Sequence, residues 1–531
     1  MASAGDTPSG PGTPESPDPI VVHADVHGDI AEWNPSPPPP APLRFGSAPD
    51  EVIPPGVGQS PAPPELAAGE AKRAFGLDAL RGLFLVLMTF GFSIGTAHFP
   101  LWMFHRQFPF DTATPVDAAG ISWRDLAYVS FLLTMAAALP LTLSRRIAKG
   151  EPEIGIIIAA LKRWALLMVF AILVGHSNTF FLGYTQSARV LSIIGFVIMA
   201  MVFTRRRADW SEPGFRAINI AGWVMAIAFL ALTPITYGST FSFARNDDII
   251  VGLAFASLVG ALVWYFTREN LIARLAILGL VVAAYLGAKG DGWVAGWWWD
   301  AKYPWLFSAQ ALGLLTIVIP GTIIGDIILK WMRAGTDSAA AAGWGPVRTG
   351  GVALLCLAFT PVVTAGMYNR QVALTVAIVG AMLVAGAILT WSPVTSVERM
   401  MRSLFIWAAT WLAIGLLVEP FEGGIKKIPD TLSYFFTVTG TTAMLLVAFT
   451  AVIDGLGRQR WVATLIDVGH NPLLAYVLLT ILINPATDLI PPLRGLLLGS
   501  PVEELLRCVL EVLLVVFVVR YLSRKRIYWR T

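Results

Sequence analysis

From Gly76 onward, apolar runs of about twenty residues alternate with short connections that carry the charge. Such a run, wound as a helix, spans the ~30 Å hydrocarbon core of a bilayer. The pattern predicts about fourteen membrane helices. They lie near 76–97, 123–143, 154–175, 189–203, 217–237, 249–266, 271–287, 308–331, 348–367, 371–391, 402–418, 432–453, 464–483 and 503–521. The fourth, sixth, seventh and eleventh are short, which sets the range at 11–14. The expected fold is an all-α polytopic helical bundle.

The connections differ in character on alternate sides. Those with "SRRIAKGEPE", "TRRRADW", "TREN", "KWMRAG", "SVERMMR", "DGLGRQR" and the final "SRKRIYWR" fall on one side. With the helix ends, that side takes 26 of the 37 Lys and Arg that follow residue 70. By the positive-inside rule it faces the cytoplasm, and both termini with it. The other side carries longer loops rich in Trp, Phe, Tyr and His, with "DGWVAGWWWDAKYPW" (291–305) the extreme case. Such a cluster is usually an interfacial aromatic belt, and it is also what a sugar-stacking platform looks like.

Composition sharpens this picture. The chain is 55% hydrophobic and 14% charged, against ~25% charged in soluble domains. Residues 1–70 depart from the rest, with ten acids, one base and "SPPPPAP" at 36–42. So polar and Pro-rich a stretch cannot bury enough apolar surface to fold, and a disordered acidic cytoplasmic tail is expected. Residues 71–531 form the transmembrane domain. The basic residues punctuate spans instead of forming a patch, so nucleic acid is not an expected partner. Cys356 and Cys508 both lie in apolar runs, with no metal-ligand spacing.

The chemistry-bearing positions are few. His98 and His105 occupy the first outer loop and His176 opens the second. Imidazole suits proton transfer near neutral pH, although an interfacial histidine is often only a hydrogen-bonding group. Asp125 opens the second span on the same face, where it could cap the helix or orient a histidine. Asp78 and Arg81, three apart at the cytoplasmic start of the first span, share a helical face. They read either as a structural ion pair or as the lining of a cavity for a phosphate-bearing ligand. Lys426 and Lys427 break the charge rule in the loop "EPFEGGIKKIPDTLSY" (419–434), unless Glu419, Glu422 and Asp430 neutralise them. "GHNPLLAY" places His470, Asn471 and Pro472 at the start of the thirteenth span, where proline frees a carbonyl and a polar pocket is expected.

Taken in order, "GLDALRGLFLVLM", the loop histidine, "GISWRDLAYVSFLLTMAAALPLTLSRR", "KKIPDTLSYFFTVTG" and "GHNPLLAY" resemble the heparan-α-glucosaminide N-acetyltransferase family and its bacterial relatives. "YPWLFSAQALGLLTIVIPGTIIGDII" resembles that family's later Gly-rich span. The likeness is scattered over roughly 73–525 and rests on Asp78, Arg81, Gly82, His105, Gly120, Ser122, Asp125 and Leu126. It implies a transmembrane acyltransferase that takes acetyl-CoA from the cytoplasm and an acceptor from the outer face. His105 would be the base and Asp125 its orienting acid, with His98 as rival base. Asp78 and Arg81 would lie at the CoA-side cavity, with His470 and Asn471. Lys427, Ser433, Tyr434 and Trp298 would line the acceptor side. The chain departs from the family in the long stretch between His105 and Asp125, and in the additional spans near 348–391.

The expected function is transfer of an acyl group, acetyl first, from cytoplasmic acyl-CoA to an amine or hydroxyl of an extracytoplasmic glycan or glycolipid. Acetyl-CoA is the donor substrate and no metal is expected. The expected setting is a bacterial plasma membrane, with the bilayer as partner and a homodimer left open. A transporter or flippase for a lipid-linked saccharide is the alternative; it accounts for the spans but leaves the histidine and acid idle.

Overall fold

A computed structural model describes residues 72–95, 98–107, 118–237, 241–300, 306, 308–334, 343–490 and 500–531. The 1–70 tail lies outside the described residues. Among the described residues fourteen helical segments build the bundle. They are α1 (Phe75–Ser93), α2 (Leu126–Ala148, entered through a 3-10 turn Trp123–Asp125), α3 (Glu153–Ser177), α4 (Gln186–Phe203) and α5 (Glu212–Tyr237). Next come α6 (Asp248–Thr267), α7 (Leu271–Gly287), α8 (Leu315–Arg333), α9 (Pro346–Tyr368), α10 (Val372–Leu389), α11 (Ser396–Val418) and α12 (Leu432–Thr450). A broken α13 (Gln459–Gly469 and Pro472–Asp488) and α14 (Pro501–Arg524) complete the set. Among the described residues eleven helices are long and apolar enough to span alone, and α13 makes twelve. The other two are α7, only 17 residues long, and α14, whose first half carries Glu503, Glu504, Arg507 and Glu511.

The sequence explains where these helices begin. Thr185, Asp247, Asn270, Thr395, Thr431 and Ser500 each accept a hydrogen bond from a first-turn N–H through the side chain. Such caps satisfy donors that a helix start leaves unpaired, a need that grows where water is scarce.

Helix α12 is the hub. Helices α1, α2, α8, α9 and α11 all pack on it, and nearly every residue from Leu432 to Thr450 is buried. Helices α5 and α10 lie at the periphery and present Ile218, Val224, Ile227, Leu374 and Val384 outward. Exposed apolar side chains of this kind are what a hydrocarbon-facing surface requires.

The thirteenth span is not continuous. Its halves meet at 76° across His470 and Asn471. Pro472 supplies no amide hydrogen and forces Asn471 out of the helical region, to φ −129° and ψ 60°. The N-terminal half crosses α1 at backbone contact. A Cβ on Gly82 would stand 1.9 Å from the Leu465 carbonyl oxygen, and one on Gly469 2.0 Å from that of Asp78. The start of α1, the break in α13 and the C-terminal residues therefore meet at one end of the bundle. There Arg205 N–H donates to Tyr528 O, and Arg530 N–H to Phe203 O.

Candidate active site

The His105 loop leaves α1 and returns as α2. His105 Nδ1 lies 2.5 Å from Asp125 Oδ1. Asp125 is fully buried, and its other oxygen accepts from Ser122 N–H (2.8 Å), Ser122 Oγ (3.1 Å) and Arg106 N–H (3.2 Å). The acid is thus both the helix-capping residue and the partner of the histidine; the two readings of its sequence position are the same structure. A carboxylate with this many donors stays ionised and accepts Nδ1–H, which puts the basic lone pair at Nε2. The Tyr434 hydroxyl donates to Asp125 O at 2.7 Å and fixes the turn from the hub helix.

A second loop closes over this pair. Gly120 N–H donates to Ile425 O at 2.7 Å. Gly120 has φ +126°, and a Cβ there would meet the Met367 carbonyl at 2.8 Å, so only glycine fits. Buried Gln107 gives its amide to Ala118 O and Gly120 O and receives Lys427 N–H. These bonds bring Lys427 Nζ to 3.3 Å from His105 Nδ1. Glu419 is taken by Arg370, and Glu422 by Lys289 and the amides of Leu432 and Ser433. Neither glutamate neutralises Lys427, which instead lies beside the histidine.

The electrostatics follow from burial. Burial pushes His105 down to about 4, against the pull of Asp125, and the Lys427 charge pushes the same way. Burial also lowers the Lys427 ammonium, with Asp125 and Asp430 opposing. Asp430 is pushed up to about 6 by burial, with Lys427 pulling it down. The imidazole is therefore neutral at pH 7 and competent to accept a proton.

At the opposite face lies a cavity of about 440 Å³. Among the described residues five guanidinium groups line it, those of Arg73, Arg81, Arg146, Arg163 and Arg530, against one acidic side chain, that of Asp78. Asp78 is bound by Arg81 at 3.2 Å and by His470 Nε2 at 3.2 Å. Arg81 also donates to Thr134 O and Gly469 O. Arg163 makes no hydrogen bond or ion pair among the described residues. A guanidinium held in such a wall without a carboxylate suits a phosphate or another anion. Deeper in, the lining turns apolar through Phe131, Met135, Leu139, Leu167, Leu253 and Leu473.

Helix α2 joins the two sites. It lines the cavity from Arg146 to Phe131, and Asp125 stands six residues beyond, ~9 Å along the axis. Past the cavity's deep end, the Tyr476 hydroxyl donates to Asp247 at 2.8 and 3.0 Å. Burial pushes Asp247 up to about 6, with the Ile250 amide and Tyr476 opposing.

The remaining sequence candidates divide. His98 Nδ1 pairs with Glu504 at 2.7 Å, away from Asp125. His176 is buried against Phe241, its Nδ1 at 3.0 Å from Ile172 O. Asn471 is bonded to the C-terminal segment, giving Nδ2–H to Ile527 O and accepting Trp529 N–H. These bonds hold the segment that carries Arg530 into the cavity wall. Ser433 is buried and bonded to Thr431. Trp298 is 1% exposed and packs on Tyr285, while Trp293, Trp297 and Trp299 face outward. Sequence reasoning missed Arg73, Arg146, Arg163 and Arg530. They belong to four separate elements, and only their shared end of the bundle could have signalled them.

The fold defines a multi-pass helical membrane protein. Within it, residues 73–328 match the family model of a domain of unknown function, DUF5009. That match runs from α1 into α8 and takes in His105, Asp125, Arg81 and Arg163, but not Lys427 or His470. No curated protein matches the chain.

Proposed function

We propose that this protein is an acyltransferase of the kind its motifs resemble. It would move an acyl group, acetyl first, from cytoplasmic acyl-CoA to an amine or hydroxyl presented on the extracytoplasmic face. The carrying observation is the buried His105–Asp125 pair, with His105 Nδ1 2.5 Å from the carboxylate and Nε2 left as the ring's other nitrogen. The arginine-lined cavity on the opposite face supports the donor assignment, because CoA is rich in phosphate. This reading puts both termini in the cytoplasm, in accord with the loop charges, and the protein in a plasma membrane.

In the proposed reaction, His105 Nε2 takes the proton of the acceptor as its oxygen or nitrogen attacks the thioester carbonyl. The tetrahedral intermediate collapses with loss of the thiolate, which recovers the proton from His105. A base poised near 4 gives that proton back readily, which assists the leaving group. Asp125 holds the tautomer and stabilises the transient imidazolium. Burial, helped by the Lys427 charge, keeps the resting ring unprotonated. An acyl-histidine intermediate would differ by a burst of free CoA without acceptor.

Purified protein in proteoliposomes should transfer labelled acetyl from acetyl-CoA, and His105→Ala should abolish transfer while His98→Ala spares it. The reverse result would move the base to His98. The 76° break in α13, beside a polar cavity, is the one observation that favours a transporter. Saccharide uptake by proteoliposomes without acyl-CoA would favour that reading.

A further inference from the structure

Helices α1 and α9 both pack on α12 but leave a gap between them. Its walls enclose a groove of about 520 Å³. The lining is Leu83 and Leu87 of α1, Leu357 and Pro361 of α9, and Leu445 of α12 at the floor. Trp123, two residues before Asp125, closes the upper end. Leu354 and Leu357 are 70% and 51% exposed, so the groove opens sideways, toward where the hydrocarbon would lie. Leu83 lies ten residues before the end of α1, ~15 Å down the axis, which is about half of a bilayer core. The groove thus runs from the His105 face to mid-membrane depth.

A charge stands beside its upper end, one turn of α1 above the lining. Positions 83, 87 and 91 share one face of α1. Above Leu87 on that face, the Arg124 side chain lies against Gly91, where a Cβ would come within 3.2 Å of Nε. The guanidinium also covers the Phe104 ring at 6.0 Å. Arg124 makes no hydrogen bond or ion pair among the described residues. An apolar slot one leaflet deep, with a guanidinium beside its upper end, has the shape and charge of an anionic lipid: chain below, phosphate above. His105 and Asp125 stand next to that head position.

We propose that the groove between α1 and α9 binds the apolar chain of a phosphate-bearing lipid, with its phosphate at Arg124. Resting on the acyltransferase reading, this makes the acceptor a lipid-linked molecule. The chain lies along Leu83, Leu87 and Leu357, and the headgroup is held at His105. Thr360, whose hydroxyl is buried in the groove wall without a hydrogen-bond partner among the described residues, is the one polar point along the chain.

The test measures lipid retention. Full-length protein is loaded in vesicles of phosphatidylglycerol, purified in mild detergent, washed and assayed for phosphorus and by native mass spectrometry. Wild type should retain tightly bound phosphatidylglycerol. Leu357→Trp and Ala358→Phe, which fill the groove, and Arg124→Gln, which removes its cation, should each lower retention about tenfold. Leu417→Trp, at an exposed site on α11 outside the groove, should retain it like wild type. Two groove-filling variants guard against one that fails to fold, and each is checked by size exclusion and melting. Equal retention in wild type, Leu357→Trp and Ala358→Phe would overturn the proposal. So would equal loss in Leu417→Trp, which would show only annular lipid, or equal retention of an uncharged diacylglycerol. Wild type that holds the lipid but transfers no acetyl would support the groove and refute the acyltransferase reading.

Discussion

Replacing Asp125 by asparagine tests the catalytic pair with little change in shape. Asp125 accepts four hydrogen bonds, three at one oxygen and one from His105 at the other. In the Asp125→Asn variant the side-chain carbonyl oxygen would stay with Ser122 and Arg106, since turning the amide would set its hydrogens against three donors. The amide nitrogen then faces His105 Nδ1 and donates to it. That reverses the tautomer and places the proton on Nε2, where the base is needed. A carboxylate-to-amide change in such a pair costs about 10⁴ in kcat, equivalent to ~5.5 kcal/mol of barrier. Stability should fall by only about 1–2 kcal/mol, because one charge-assisted bond is weakened and none is orphaned. The assay is single-turnover transfer of labelled acetyl in proteoliposomes, with a melting curve on the same sample. Activity within about tenfold of wild type in a folded Asp125→Asn protein would refute the orienting role.

Other consequences follow from the same geometry. A base that must be neutral works above its pKa, so kcat/KM should hold at neutral pH and fall as pH drops through the His105 value of about 4. Because Lys427 helps to lower that value, Lys427→Met should move this acid limb upward, and an unmoved limb would dissociate Lys427 from the base. Arg163→Gln and Arg81→Gln should each raise KM for acyl-CoA about tenfold with little effect on kcat, as read by steady-state kinetics. Gly82→Ala should lower the melting temperature, because its methyl would stand 1.9 Å from the Leu465 carbonyl oxygen; overpacking of this kind costs about 1–3 kcal/mol.

The sequence made the spans legible because a hydrocarbon core imposes a length and an apolar composition on every helix. All fourteen predicted runs correspond to helices, of which eleven, or twelve with α13, are long and apolar enough to span; "GHNP" signalled a freed carbonyl, but the 76° break it makes in α13 was not expected. Site chemistry was legible where one residue carried it. Asp125 stands at a helix start and Lys427 sits against the charge rule, and both flank His105. The arginine cavity was not legible. Arg73, Arg146, Arg163 and Arg530 come from separate elements, and a charge at a helix end reads as orientation until the bundle brings several together. Trp298 misled for a related reason. Four neighbouring tryptophans look alike in sequence, and only packing on Tyr285 separates the buried one from those facing outward.

The most direct measurement is acetyl transfer across a sealed membrane. With acetyl-CoA supplied only at the face of Arg73 and Arg530, the account predicts labelled acceptor on the His105 face, abolished by His105→Ala. Equal transfer by that variant, or none by wild type with any acceptor fraction of the source membrane, would contradict it.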